Sequence, residues 1–566
     1  MNMLFIAGVS GDAVVAPKKY RQDGLVMSSF ADTSNKWKRI NSAARRNATR
    51  RIVDRKGLQK KPKAPKSTKV PKSSKKTKAR KKTYKFKSPI TMNPSVVPRM
   101  IPSSSPSVSN KKPSSSPSVS LTPSKEPSSS PSVSLMPSKE PSSSPSVSII
   151  PSNVPSVTNE PSSPLIPEIL VAIGAHGNDG VNGIDSGHVR VYGLIGGAWT
   201  QIGSDIDGEA AGDGSGYSVS LSADGSIVAI GAHLNDGNDG TDSRRGHVRV
   251  YQLIDGDWTQ LGGDIDGEVM DISGWSVSLS SDGSTVAIGA FKFDSNRGRV
   301  RIYKLIGGVW TQAGSNIDGE YVSDYSGWSV SLSGGGSIVA IGAYLNDDGG
   351  YSSGHVRVYK LIGSTWTQVG SDINGEDDSD LSGGSVSLSD DGSIVAIGAT
   401  GNDGIDGTDT SRGHVRVYGF TGGAWTQIGS DIDGEAAGDR SGHSVSLSGD
   451  GSSVAISSTV NDGVNGIDSG HVRVYKLIGS VWTQVGDDID GEAAGDGSGG
   501  SVSLSDDGSI VAIGAAGNDG IDGTDSNRGH VRVYQLIGDV WTQIGSDLDG
   551  EAAADASGWS VSLAVP

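Results

Sequence analysis

The stretch GWSVSLAVP, residues 558–566, holds the four letters SVSL that also follow a Ser-Gly-x at Ser218, Ser276, Ser329, Ser385, Ser444 and Ser501. After each of those earlier copies a short turn leads into VAIGA or a close variant. At the other end of the array ILVAIGA, residues 169–175, stands without a preceding SVSL. The two unmatched strands are complementary halves of one unit. If residues 560–563 pair beside 169–175, both open edges disappear and the array closes into a ring.

A single unit, Ser218 to Gly267, shows why the ring is built of sheets. SVSLS alternates apolar and small polar residues, SIVAIGA is rich in β-formers, GHVRVYQL alternates again, and WTQLGGDI begins on Trp258. No helical period separates them, so the unit reads as a four-stranded antiparallel meander. Asp224-Gly225 between the first two strands predicts a two-residue hairpin turn with both residues at positive φ. The Trp of "WT" recurs at Trp199, Trp258, Trp310, Trp366, Trp425, Trp482 and Trp541, spanning 342 residues in six intervals, a mean of 57. Four-stranded units at such a period make a propeller. The expected fold is all-β: a seven-bladed β-propeller of four-stranded blades over residues 168–566, closed by 560–563 on 169–175.

The order Gly-x-Ser-Val, turn, strand, Gly-Ala, loop, Gly-x-Val-x-Val-Tyr resembles the FG-GAP repeats of integrin-alpha-type propellers across residues 168–566. Gly-Ala survives except at Ile456-Ser457-Ser458. The family's Phe-Gly is Ser-Gly in all seven copies, as at Ser215-Gly216 and Ser557-Gly558. Its calcium cage is reduced to a bare Ser-x-Asp-Gly turn, so the resemblance does not carry calcium to that position.

The net charge of −14 conceals a division. Residues 1–100 hold 27 Lys/Arg and 4 Asp/Glu (+23), residues 101–167 hold 4 and 3 (+1), and residues 168–566 hold 18 and 56 (−38). Such asymmetry predicts charged partners. Residues 1–100 read as a disordered basic arm, in which Lys60, Lys63, Lys66, Lys69, Lys72, Lys75, Lys78 and Lys81 recur every third residue. On polyproline II geometry these ammonium groups line one edge, suited to an anionic polymer or surface. Residues 101–167 form a Ser/Pro-rich, low-complexity stalk. Arm and stalk together resemble wall- and silica-associated proteins of silica-forming algae. Residues 1–16 are a weak candidate signal segment, and no apolar run reaches transmembrane length. The chain has no cysteine, which excludes disulfides and thiolate chemistry.

Six histidines share one register: His188, His247, His355, His414, His471 and His530. Each belongs to a different blade, so they do not converge on one ion and read as repeated packing or turn-capping residues. The seven arginines of VRVY or VRIY (Arg190, Arg249, Arg301, Arg357, Arg416, Arg473, Arg532) read as inter-blade ion pairs. The segment x-Ile/Leu-Asp/Asn-Gly-Glu after the fourth strand reads as an acidic loop. It shares a face with the second-strand loops, whose carboxylates Asp236, Asp239, Asp242, Asp403, Asp406, Asp409, Asp519, Asp522 and Asp525 are the candidate metal ligands, for Ca²⁺. Catalytic sites break repeat symmetry, and this array is nearly uniform; if it holds a specific site, the irregular second loops of the third and fourth copies are the place for it. The functional expectation is a non-catalytic binding or adhesion propeller. It is monomeric, presented at a cell surface or wall, with a protein or glycan ligand on its acidic face. The alternatives are a glycan-active enzyme and an intracellular scaffold whose arm binds nucleic acid or directs the chain to the nucleus.

Overall fold

The computed structural model describes residues 167–566 apart from 238–243, 405–406, 408, 521–522 and 524. The basic arm, with its Lys60–Lys81 run, and the stalk up to residue 166 lie outside the described residues. What is described forms seven antiparallel sheets arranged as blades. Blade two shows the order from axis to rim: Ser215–Leu221, Ile227–Ala232, His247–Ile254 and Asp257–Gln260.

Blade one is assembled from both ends of the array. Ser560–Ala564 lies beside Leu170–Ala175, with Gly174 opposite Ser560, Ile173 opposite Val561 and Val171 opposite Leu563. Blade two repeats that register within one continuous segment, Gly231 opposite Ser218, Ile230 opposite Val219 and Val228 opposite Leu221. The closing pair is therefore indistinguishable in register from an internal one.

In blade one the second strand, Leu170–Ala175, carries no polar side chain because neighbouring blades cover both its faces. Val171 and Ile173 pack with Ile510, Ala512 and Val531 of blade seven. Leu170 and Ala172 pack with Val219, Val228 and Ile230 of blade two. The core is a series of inter-sheet layers, and no blade owns a whole one.

Polar belts hold these layers in register. At the axis the second Ser of each SVSL accepts the N–H of the next blade's Leu. The donors and acceptors are Leu221 to Ser562, Leu279 to Ser220, Leu332 to Ser278, Leu388 to Ser331, Leu447 to Ser387, Leu504 to Ser446 and Leu563 to Ser503, at 2.9–3.0 Å. At the rim each repeat Trp donates its indole N–H to a carbonyl of the preceding blade, from Trp258 to Ile202 (2.8 Å) round to Trp199 on Ile544 (3.0 Å). The Gly of Gly-Ala is required where the next blade's Ser-Gly carbonyl approaches, since a Cβ on Gly231 would run into Gly274 O.

Two local expectations need correction. Asp224 does not adopt positive φ; only Gly225 does (φ 66), and Gly225 N donates to Ser222 O at 2.8 Å. Asp224 Oδ1 instead accepts from Ser222 Oγ (2.6 Å) and Ser226 N (3.0 Å). The hairpin is thus a turn followed by a left-handed glycine, stabilised by the Asp side chain. Second, the Ile/Leu-Asp/Asn pair expected in a loop forms a two-residue strand at the blade's outer edge. Ile265–Asp266 pairs with the start of the third strand, His247 opposite Asp266. This added strand positions the carboxylates described below.

If the ring is closed, the bond that joins the array's two ends contributes as much as an internal one. Trp199→Phe and Trp366→Phe each remove one indole–carbonyl hydrogen bond, about 1 kcal/mol apiece. Equal losses in chemical denaturation are expected. A silent Trp199→Phe beside a costly Trp366→Phe would mean an open array.

Candidate binding face

The loops after the second and fourth strands share one face and bond to each other, as in Gly212 N to Ile184 O (2.9 Å) and Leu234 N to Asp213 O (3.2 Å). The Asn-Asp start of the second-strand loop has two jobs. Asn235 donates to the buried Asp213 carboxylate (3.0 Å), and Asp236 closes its own loop by accepting the Arg244 N–H (2.7 Å). Asp403 and Asp519 do the same for Ser411 (2.7 Å) and Asn527 (2.9 Å). Asp409 pairs with Arg412, and Asp525 with Arg528 at 3.4 Å. Of the nine candidate calcium ligands these five are placed as loop-closing or ion-paired groups. Asp239, Asp242, Asp406 and Asp522 lie outside the described residues.

Near the axis the same face departs from repeat symmetry. The residue after Ser-Gly is Trp559 in blade one, then Tyr217, Trp275 and Trp328 in blades two to four, but Gly384, His443 and Gly500 in blades five to seven. The residue after Gly-Ala follows suit with His176, His233, Phe291 and Tyr344, against Thr400 and Ala516 in blades five and seven. The large rings form a continuous arc. Centroid separations are 5.4 Å for Trp559–Tyr217, 4.5 Å for Tyr217–Trp275, 4.6 Å for Trp275–Trp328 and 4.5 Å for Trp328–Tyr344. Trp559 is 41% exposed, while Tyr217, Trp275 and Trp328 are half-buried. On the other side a Cβ at Gly500 would meet nothing closer than 3.7 Å, so crowding does not impose that glycine. The result is a half-ring of aromatic side chains, with Gly384, His443 and Gly500 at the same position in the other three blades.

Further from the axis a second belt lies between blades. Arg249 Nη1 faces Glu209 of the preceding blade at 3.7 Å, Arg357 faces Glu320 at 3.4 Å, and Arg416 faces Glu376 at 3.2 Å. Arg190 pairs with Glu551 across the ring closure. This is the inter-blade pairing the arginine spacing suggests. The histidines, read from sequence as packing residues, each have carboxylates of their own. His247 gathers with Glu209 and Asp264, His414 with Glu376 and Asp431, and His471 with Glu435 and Asp488. Burial lowers His247 and His414 to about 4, with the adjacent arginines adding to it, so both are neutral imidazoles at pH 7. Around His471 the group lines a cavity of about 400 Å³ with Asp439, Asn461 and Asp490.

Neither the arc nor these groups is evident along the sequence. Aligning the seven units on Ser-Gly-x would expose the first as one column. The second needs the Glu of one unit set beside the His of the next, at the added edge strand.

No protein-family model matches the chain, and no curated protein does. Among solved structures it is similar to a putative 6-phosphogluconolactonase from Bacteroides uniformis (12% identity, TM-score 0.48, covering 70% of this chain and 99% of that one). It is also similar to a periplasmic gluconolactonase from Pseudomonas aeruginosa (14%, TM-score 0.47, 70% and 100%) and to TolB from Acinetobacter baumannii (14%, TM-score 0.34, 67% and 79%).

The two imidazoles of the arc are expected to contribute acid sensitivity to the fold. Burial lowers His176 to about 4 and His233 to about 3, the second also through His176. The unfolded chain takes protons near 6.5, so stability from these groups is full above that pH. It is lost as pH falls toward 4, by up to about 1.4 kcal/mol per histidine per pH unit. Buried carboxylates such as Asp213 and Asp380, raised chiefly by burial, act in the opposite direction, so the informative quantity is a difference. His176→Phe/His233→Phe, which installs the residue type of Phe291 in the same register, should lose less stability than the wild type in melts between pH 7 and 4. Parallel losses would exclude these imidazoles as the cause.

Proposed function

We propose that the chain is a non-catalytic glycan-binding propeller, with the aromatic arc as its platform. The observation that supports this is the break in symmetry: four consecutive blades present Trp or Tyr where the other three present Gly, His and Gly. Aromatic faces suit the apolar faces of sugar rings, and they suit cationic groups. The surrounding domain carries 56 acidic against 18 basic residues, which favours neutral or amino-bearing glycans over sulfated ones. The motif order supports placing the repeats with the FG-GAP type. The Ser/Pro stalk and the Lys60–Lys81 run support display from an anionic wall or surface. Ca²⁺ on the second-strand loops belongs to the same proposal.

A catalytic alternative draws on the acid-lined cavity around His471. Both readings are tested in one experiment: titration of intrinsic Trp fluorescence with cello-oligosaccharides, chitosan oligosaccharides and heparin, with product analysis of each mixture. Saturable binding of the first or second class is expected, weakened more than about tenfold by Trp275→Ala or Trp328→Ala, the scale of a truncated aromatic anchor. Trp482→Phe, at the rim, should leave binding unchanged. Binding indifferent to the arc variants would remove the reading, and cleaved oligosaccharide would replace it with the catalytic one.

A further inference from the structure

The inter-blade groups are not equivalent, and their differences follow a charge logic. In blade three Arg299 stands where the other blades carry His, and Asn316 stands where they carry the Asp before the edge strand. The Arg299 guanidinium donates to Glu268 of blade two (2.9 Å) and to Asp318 (2.6 Å). In blade one Arg190 forms a two-pronged pair with Asp205 (2.8 and 2.7 Å) and also meets Glu551. Both positions are filled by a cation that is part of the chain.

Blade four goes the other way. Its second-strand loop reads Asn346-Asp347-Asp348, where the other loops of this type read Asn-Asp-Gly, as at Gly180, Gly237, Gly404, Gly463 and Gly520. Asp347 does the loop-closing work, accepting the Ser352 N–H at 2.6 Å. Asp348 is the added carboxylate, and it joins Glu320 of blade three, His355 and Asp372. One ligand atom from each of the four lies within 4.8 Å of every other.

An independent feature marks the same place. His355 is 0% exposed, and among the described residues neither of its ring nitrogens has a hydrogen-bond partner; Nε2 is equally unpartnered in His247, His414, His471 and His530, so Nδ1 is what sets His355 apart. A buried imidazole with no partner costs free energy unless something occupies the site it faces. Around it are three carboxylates, and the nearby cation is Arg357, 3.4 Å from Glu320. Three carboxyl groups therefore face a single arginine.

We propose that Glu320, Asp348, His355 and Asp372 form a binding site for one divalent first-row transition-metal ion, of the Zn²⁺ or Mn²⁺ class, clamping blade three to blade four. One imidazole nitrogen with three carboxylate oxygens suits such ions, whereas Ca²⁺ and Mg²⁺ favour all-oxygen sets. Two ligands on bonds of about 2.0–2.2 Å stand at most about 4.4 Å apart, so atoms up to 4.8 Å apart have to draw inward to share one ion. The site is separate from the loop aspartates considered for Ca²⁺ and does not depend on the glycan reading.

Two substitutions come from the repeats themselves and should preserve the fold. Asp348→Gly restores the residue of the other loops, and His355→Arg installs the residue of blade three. The full chain is stripped with EDTA, then titrated calorimetrically and melted with ZnCl₂, MnCl₂ and CaCl₂. We expect one equivalent of Zn²⁺ or Mn²⁺ per chain with a rise of several degrees in Tm. Asp348→Gly should weaken binding at least tenfold, and His355→Arg should abolish it while the metal-free Tm stays near wild type. No stoichiometric binding, several equivalents unaffected by Asp348→Gly, or Ca²⁺ binding as tightly as Zn²⁺ and Mn²⁺ would each overturn the proposal. If either variant unfolds, Asp372→Asn supplies the same comparison.

Discussion

The hydrogen bond from a Leu N–H to the Ser hydroxyl of the preceding inner strand governs this architecture. An inner strand pairs with its own blade on one side, and its other edge faces the axis, where exposed N–H groups invite pairing with another chain. The second Ser of SVSL meets that demand sideways, from blade to blade. Its acceptor is small enough to stand at the narrowest radius, and larger polar side chains from seven strands would crowd one another there. Seven such bonds form a circuit, and a circuit tolerates no missing member. That is why Leu221 N, 341 positions before Ser562, finds its acceptor on the strand that completes blade one.

Other features follow from this closeness. The first Ser of SVSL reaches the next blade's Ser-Gly carbonyl, as Ser218 Oγ does to Gly274 O at 2.9 Å, and the approach leaves no room for a side chain on Gly231. Blade six tests the rule from within. Ser457 replaces that glycine, its hydroxyl accepts from Ser444 N (2.9 Å), and Ser444 Oγ instead accepts from Val502 N (3.1 Å). At the rim blades diverge, and a large group must span the gap. The Trp indole does so, so small residues at the axis and large ones outside are two responses to one wedge-shaped spacing.

The blades and their closure were legible in the sequence because their causes are local. Alternation over four to eight residues and an Asp-Gly turn need no knowledge of the neighbours, and two unmatched strands announce each other. Asp224-Gly225 marks a hairpin in sequence, but the turn type depends on hydroxyls at Ser222 and Ser226 that compete for the Asp side chain. The edge strand Ile265–Asp266 is too short to show any period. The carboxylate groups were illegible for a different reason: Glu320, Asp348, His355 and Asp372 come from separate segments of two blades and meet only after stacking. The aromatic arc was hidden by the repeat itself, since a search for what the units share passes over the column in which they differ.

That difference is the more informative quantity in a molecule of this kind. Sevenfold repetition sets a structural baseline in which every shared residue has a packing, capping or pairing task, as Trp258, Asp213 and Arg249 do. A departure that merely relaxes the baseline should be scattered among blades. Here departures are grouped: aromatic residues occupy consecutive blades one to four, and blades three and four change the charge of their inter-blade groups in opposite senses, at Arg299 and at Asp348. In blade three Arg299 brings its own positive charge to the carboxylates. In blade four Asp348 adds a carboxyl group beside a buried imidazole whose Nδ1, among the described residues, has no hydrogen-bond partner. Grouped departures on one face, where the loops rather than the strands set the chemistry, are where a binding function can be added without disturbing the circuit at the axis.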